Sequence, residues 1–174
     1  MYQSALEGSP GLNLVPAQWL HLTIQGVTWA DEISETEIDL VAEKVRLRLA
    51  EIPMFDLHFS KAAIIKEAII LPPTPVEPLH GIWQEIRNGI ADALGGSAVS
   101  TAGEQSAGFR PHVSIAYVNT AGPSAPYREI LSKVKAEPIA IPVERISLIL
   151  QERVLAPEWV YRWTTRAEAG LGQP

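Results

Sequence analysis

The sequence predicts an α+β fold that runs through one plan of elements twice, and three features carry that expectation. Residues 18–27 and 109–118 both read as half-buried strands in which a histidine and a hydroxyl residue stand two apart, His21 with Thr23 and His112 with Ser114. Successive strand side chains point to opposite faces, so each histidine shares a face with its hydroxyl neighbour. Leu22 and Ile24, like Val113 and Ile115, then point into a core. After each histidine segment comes a helical stretch, and after each helix come extended segments with apolar residues on one face.

Taken in order, residues 1–16 contain Gly8, Pro10, Gly11 and Pro16, a composition with room for one short edge strand. Residues 18–27 are the first histidine strand. Residues 31–52 read as a helix: Ser34 with Glu37 fits a capping box, and Ile38, Val41, Val45, Leu49 and Ile52 recur at helical spacing until Pro53 ends it. Phe55, Leu57 and Phe59 alternate with Asp56, His58 and Ser60, which gives a strand. Residues 62–71 read as its hairpin partner, stopped by Pro72-Pro73.

Residues 76–94 form a second amphipathic helix with Leu79, Ile82, Trp83, Ile86, Ile90 and Leu94 on one stripe and Gly95-Gly96 at its end. Residues 95–108 are small and polar, a loop long enough to cover a site. After the second histidine strand, residues 123–135 should be helical, residues 139–151 extended and residues 154–163 a further strand. The tail after Thr164 reads as frayed. Pseudo-repeats at about 17–72 and 108–164 thus flank a linking helix at about 76–94, within one domain of 174 residues.

Composition narrows the function classes. With 47% hydrophobic and 20% charged residues the chain is globular. A formal charge of −6 and a pI near 5.2 argue against binding extended nucleic acid and leave a small nucleotide or a short RNA end as the partner. The absence of cysteine removes disulfides, thiolate zinc sites and cysteine nucleophiles together. The first residues lack the basic start and apolar run of a signal peptide, and no stretch approaches the ~20 apolar residues of a membrane span. The expectation is a monomeric cytoplasmic protein with no membrane association.

Two strands that each present an imidazole beside a hydroxyl are suited to holding a phosphate between them. His21-Leu22-Thr23-Ile24 and His112-Val113-Ser114-Ile115 resemble the paired histidine–x–threonine/serine–x motifs of the 2H phosphoesterase superfamily. Its best-known branch is the 2′–5′ RNA ligase-like proteins and RNA 2′,3′-cyclic phosphodiesterases. Arg110-Pro111 is similar to the approach to the family's second motif, and the resemblance spans nearly the whole chain. It implies a bilobed duplicated fold, with two antiparallel sheets facing a central cleft, helices on the outer faces, and the histidines meeting in the middle.

Opening a cyclic phosphodiester needs one group to take a proton from water and another to protonate the leaving oxygen. Imidazole serves for both because it titrates near neutral pH. Thr23 and Ser114 would donate to the non-bridging oxygens. The resemblance implies that His21 is the acid and His112 the base, whereas the residues by themselves leave the two roles open, and ligation would exchange them. No cofactor is expected. No metal is expected either, because no carboxylates stand at ligand spacing and His58 and His80 lack a signature that would complete a site. The same motifs are compatible with 2′–5′ RNA ligation, or with a module that binds nucleotides without turnover.

Further residues are candidates for touching substrate. Arg110 is either a surface charge or a partner for phosphate or a carboxylate. His58 looks into the groove if the polar face of its strand does. Phe109, with Trp19, Trp159, Tyr161 and Trp163, has the ring needed to stack a base. Tyr117 lies where the RNA-processing branch of the resembling family has arginine. Simple alternation turns it away from the His112 face unless the strand bulges.

Overall fold

The computed structural model describes residues 1–99 and 108–172. Helix α1 (Tyr2–Leu6) and strand β1 (Leu12–Leu14) precede a single helical turn at Ala17–Trp19. Then come α2 (Glu35–Leu49), β2 (Phe55–Phe59), β3 (Ala63–Ile65), β4 (Ala68–Leu71), β5 (Pro73–Thr74) and α3 (Glu77–Leu94). The remainder comprises β6 (Val113–Val118), α4 (Ala125–Lys133), β7 (Ile139–Val143), β8 (Arg145–Val154) and β9 (Val160–Gly170). The strands form two antiparallel sheets, ordered β1-β6-β4-β3 and β5-β2-β7, and a β8-β9 ribbon. The α+β class and the expected edge strand near the N-terminus are both present.

Local chemistry accounts for the long helices. Ser34 accepts from the Glu37 backbone N–H while the Glu37 carboxylate accepts from the Ser34 backbone N–H, so two otherwise orphaned donors are satisfied at the start of α2. Helix α3 has Pro78 in its first turn, where a missing N–H costs nothing, and ends at Gly95 with φ of +90°. The two helices approach closely at Gly89, where a Cβ would lie 2.8 Å from Val45 Cγ2. They bury Val41, Leu49, Ile82, Ile86 and Ile90 against Ala169 and Leu171. Arg48 of α2 also bridges Glu85 and Asp92 of α3.

On the four-stranded sheet, Ile69, Ile115 and Ala116 pack with Leu6 of α1 and with Tyr127, Ile130 and Leu131 of α4. Its opposite face carries Ala68, Ile70 and Tyr117, which pack with Val15, Trp19, Trp159 and Tyr161. The helices therefore cover one side of this sheet, and its other side is left for the cleft.

Several expected boundaries change. Residues 18–27 form no strand beyond one isolated bridge, Leu22 to Val113. Residues 62–71 are not the hairpin partner of β2. They are two strands, β3 and β4, folded on each other in the other sheet, and β2 pairs instead with β5 and β7. The extended stretch 139–151 breaks at Glu144 and continues to Val154. The tail after Thr164 is not frayed: β9 runs to Gly170, pairs with β8 along its length, and buries Ala169 and Leu171. Helix α1 was not foreseen. In the loop expected at 95–108, Gly96–Ala98 makes a helical turn, and residues 100–107 lie outside the described residues.

Candidate active site

His21 and His112 meet in one cavity of about 320 Å³, and Thr23 and Ser114 line it with them. The single bridge from Leu22 to Val113 sets this meeting, since it places the residue after one histidine opposite the residue after the other. Both rings are held alike. Nδ1 of His21 lies 2.9 Å from the Trp19 carbonyl, and Nδ1 of His112 lies 2.8 Å from the Arg110 carbonyl. A carbonyl only accepts, so each Nδ1 carries a hydrogen and each neutral ring keeps its lone pair on Nε2. Trp163 packs edge-on to His21 at 4.9 Å and Tyr161 at 6.1 Å, while the Gln151 amide approaches His21 Nε2 to 3.4 Å.

Tyr117 also reaches the cavity. The pairing of β6 with β4 slips between Ile69 and Ile70: Ile69 faces Ala116 but Ile70 faces Ser114. That bulge puts Ile115 and Ala116 together in the outer core and turns Tyr117 onto the side of Ser114. Tyr117 stacks on Trp159 at 5.0 Å and meets Tyr161 at 5.5 Å, forming an aromatic wall. Burial pushes its phenol above the ordinary value, against the opposing pull of the Ser114 hydroxyl and of Arg153. The Arg153 guanidinium lies over Trp159 at 4.7 Å and Tyr161 at 5.8 Å. The Trp159 indole N–H is buried without a hydrogen-bond partner among the described residues.

Three of the sequence candidates stand elsewhere. His58 is exposed on β2 and is not among the residues lining the cavity, because β2 belongs to the second sheet and turns Leu57 and Phe59 to the core. Phe109 stacks on Trp83 of α3 at 5.7 Å, with His80 5.2 Å away, and packs into the core. Arg110 supports the His112 ring through its carbonyl, and its exposed side chain does not line the cavity. Gln151, Glu67, Ile65 and Ala68 do line it, and none was singled out in the sequence. They carry no motif, and their arrival depends on hairpins formed by residues far from either histidine. Among the described residues no group of three or more His, Cys, Asp or Glu could hold a metal ion, and no helix is long and apolar enough to cross a membrane.

Two histidine–hydroxyl pairs converging in a cleft beside antiparallel sheets, on a helix-backed α+β frame, form the arrangement of a 2H phosphoesterase. The comparisons agree with that class. Residues 4–155 match the family model described as the 2′-5′ RNA ligase superfamily. Among solved structures, a protein of Thermus thermophilus is similar with a TM-score of 0.70 at 18% identity, over 98% of this chain and 88% of the other. E. coli LigT complexed with 3′-AMP is similar with a TM-score of 0.69 at 16% identity, over 99% and 88% of the two chains. A further structure, described as a phosphoesterase, gives 0.67 at 15% identity, over 99% and 92%. At such identities the likeness carries the fold. No curated protein matches the chain. The chain belongs to the 2′-5′ RNA ligase superfamily, among the 2H phosphoesterases.

Proposed function

We propose that this protein is a metal-independent phosphodiesterase that opens the 2′,3′-cyclic phosphate of a nucleotide or short RNA end by two-histidine acid–base catalysis. The observation behind this reading is the convergence of His21, Thr23, His112 and Ser114 on one cavity. Its volume of about 320 Å³ suits a mononucleotide-sized ligand rather than a long polymer, since small-molecule sites span roughly 300–1,000 Å³. LigT, the E. coli relative by fold, has been crystallised with 3′-AMP and with phosphate, which supports a nucleotide phosphate as the ligand class.

In this reading His112 begins neutral, with Nδ1–H tied to the Arg110 carbonyl and the Nε2 lone pair free to accept a proton from water. The water oxygen bonds to phosphorus as one ribose oxygen departs. His21, charged at the outset and tied to the Trp19 carbonyl, gives its Nε2 proton to that oxygen. The Thr23 and Ser114 hydroxyls donate to the non-bridging oxygens, where charge accumulates in the transition state. His112 ends protonated and His21 neutral, so a proton exchange with solvent resets the pair. The carbonyl anchors orient both rings in advance and fix the tautomer of whichever ring is neutral, so little reorganisation is needed at the moment of reaction.

The test is hydrolysis of the four 2′,3′-cyclic nucleotides with and without EDTA, by the intact protein and by His21→Ala and His112→Ala. Turnover that resists EDTA and is lost in both variants is the expected result. Nucleotide binding without turnover in the unaltered protein would indicate a binding module instead, and joining of RNA ends without hydrolysis would indicate a ligase.

A further inference from the structure

Besides the two histidines, the described residues that line the cleft include a single acidic or basic side chain, the carboxylate of Glu67. Glu67 sits exposed in the turn between β3 and β4 and lines the cavity together with Tyr117, Trp159 and Tyr161. Among the described residues no lysine or arginine lines the cavity. Lys66, next to Glu67 in the turn, is exposed and does not line it, and Arg153 lies over the rings of Trp159 and Tyr161. The Glu67 carboxylate makes no hydrogen bond or ion pair with another described residue.

We infer that Glu67 sets the charge of the substrate: the cleft selects a phosphodiester whose reacting phosphate is its only anionic group and disfavours nucleotides carrying a second phosphate. This rests on the phosphodiesterase reading of the same cleft. One protonated histidine balances the one negative charge of a cyclic phosphate. A 5′-phosphate, or the next linkage of an RNA strand, would find the Glu67 carboxylate among the described lining residues. The Arg153 guanidinium is engaged over the rings of Trp159 and Tyr161 and does not line the cavity. Two like charges about 4 Å apart in water change a binding constant about fivefold, and the effect is screened by salt. The preferred substrate is then a nucleoside cyclic phosphate with a free 5′-hydroxyl, ahead of RNA ends.

Calorimetric binding of 3′-AMP and of adenosine 3′,5′-bisphosphate to the intact protein and to Glu67→Gln tests this without relying on turnover. At low ionic strength the unaltered protein should prefer the monophosphate by about five- to tenfold. Glu67→Gln should lose most of that preference by gaining affinity for the bisphosphate, and about 1 M salt, where the Debye length is roughly 3 Å, should erase it in both. A bisphosphate that binds the unaltered protein equally well or better, or a preference untouched in Glu67→Gln, overturns the inference. In parallel, kcat/KM for 2′,3′-cyclic AMP should exceed that for its 5′-phosphorylated counterpart. A binding preference that depends on Glu67, with neither cyclic compound turned over, would sink the phosphodiesterase reading and leave the role of Glu67 standing. Failure to bind either nucleotide would overturn both.

Discussion

Ser114 and Tyr117 share one face of β6 although three positions separate them, because the bulge opposite Ile69 and Ile70 absorbs one residue of the alternation. The phenol is thereby buried against Trp159 and beside the Ser114 hydroxyl. Burial raises its pKa above the ordinary 10.0, so the folded state holds the phenolic proton more tightly than the unfolded state does. The stability this contributes is complete below pH 10.0 and is lost as pH rises through the folded value. Urea midpoints measured upward from about pH 8 should therefore fall above pH 10, and fall less in Tyr117→Phe. Tyr117→Ala, which removes a ring only 6% exposed, should cost about 3–5 kcal/mol at neutral pH.

The matched anchoring of the two imidazoles leads to a kinetic expectation. Loss of either His21 or His112 should lower kcat by roughly 100- to 10,000-fold, and loss of both should cost little more than the larger single effect. The pH profile of kcat/KM should be bell-shaped, because one ring starts neutral and the other charged. A bell with both limbs unchanged in His21→Ala would remove that histidine from proton transfer.

Gly89 marks a close approach of α3 to Val45 of α2. An added Cβ would lie 2.8 Å from Val45 Cγ2 and 3.1 Å from the Val45 Cα and N, and backbone atoms yield far less than a side-chain tip. Replacing Gly by Ala within a helix gains about 1 kcal/mol of propensity, but overpacking costs about 1–3 kcal/mol. Gly89→Ala should therefore be net destabilising in urea titrations. Gly81→Ala, in the same helix with no neighbour within 4 Å, should be stabilising.

The Ser34–Glu37 box caps the start of α2, and neither residue lines the cleft. Ser34→Ala should lower Tm by about 2–4 °C, the size expected for one lost helix cap in a chain of this length, and should leave kcat/KM unchanged. The hydrogen bonds from Ser34 hold the Glu37 carboxyl below its ordinary value of 4.5. Their contribution is thus present above pH 4.5 and lost as pH falls through the lowered value, and the Tm difference should shrink in acid.

Much of the fold could be read from residues close together in the chain. Ser34 and Glu37, the apolar stripe of α3 and Gly95 mark helix limits because caps and 3.6-residue periodicity act within a few residues. Residues 18–27 show how far alternation reaches: it reports which faces are dry, and the segment bearing His21 does lie extended against Val113, yet no ladder forms there. At the other end, Thr164, Thr165, Arg166 and Glu168 look like an exposed tail. Only the pairing with β8 and the ion pair from Arg166 to Glu35 show why that tail is ordered.

From the amino-acid order alone came the α+β class and the two histidine–hydroxyl pairs, since strand alternation, helix capping and turn residues are matters of local sterics and periodicity. The tertiary structure decided that β4 pairs with β6 while β2 pairs with β7, that a bulge turns Tyr117 inward, and that Glu67 and Gln151 reach the cleft. These outcomes depend on contacts between segments tens of residues apart, where burial of whole faces outweighs local preference. No short stretch of sequence contains both partners of such a contact.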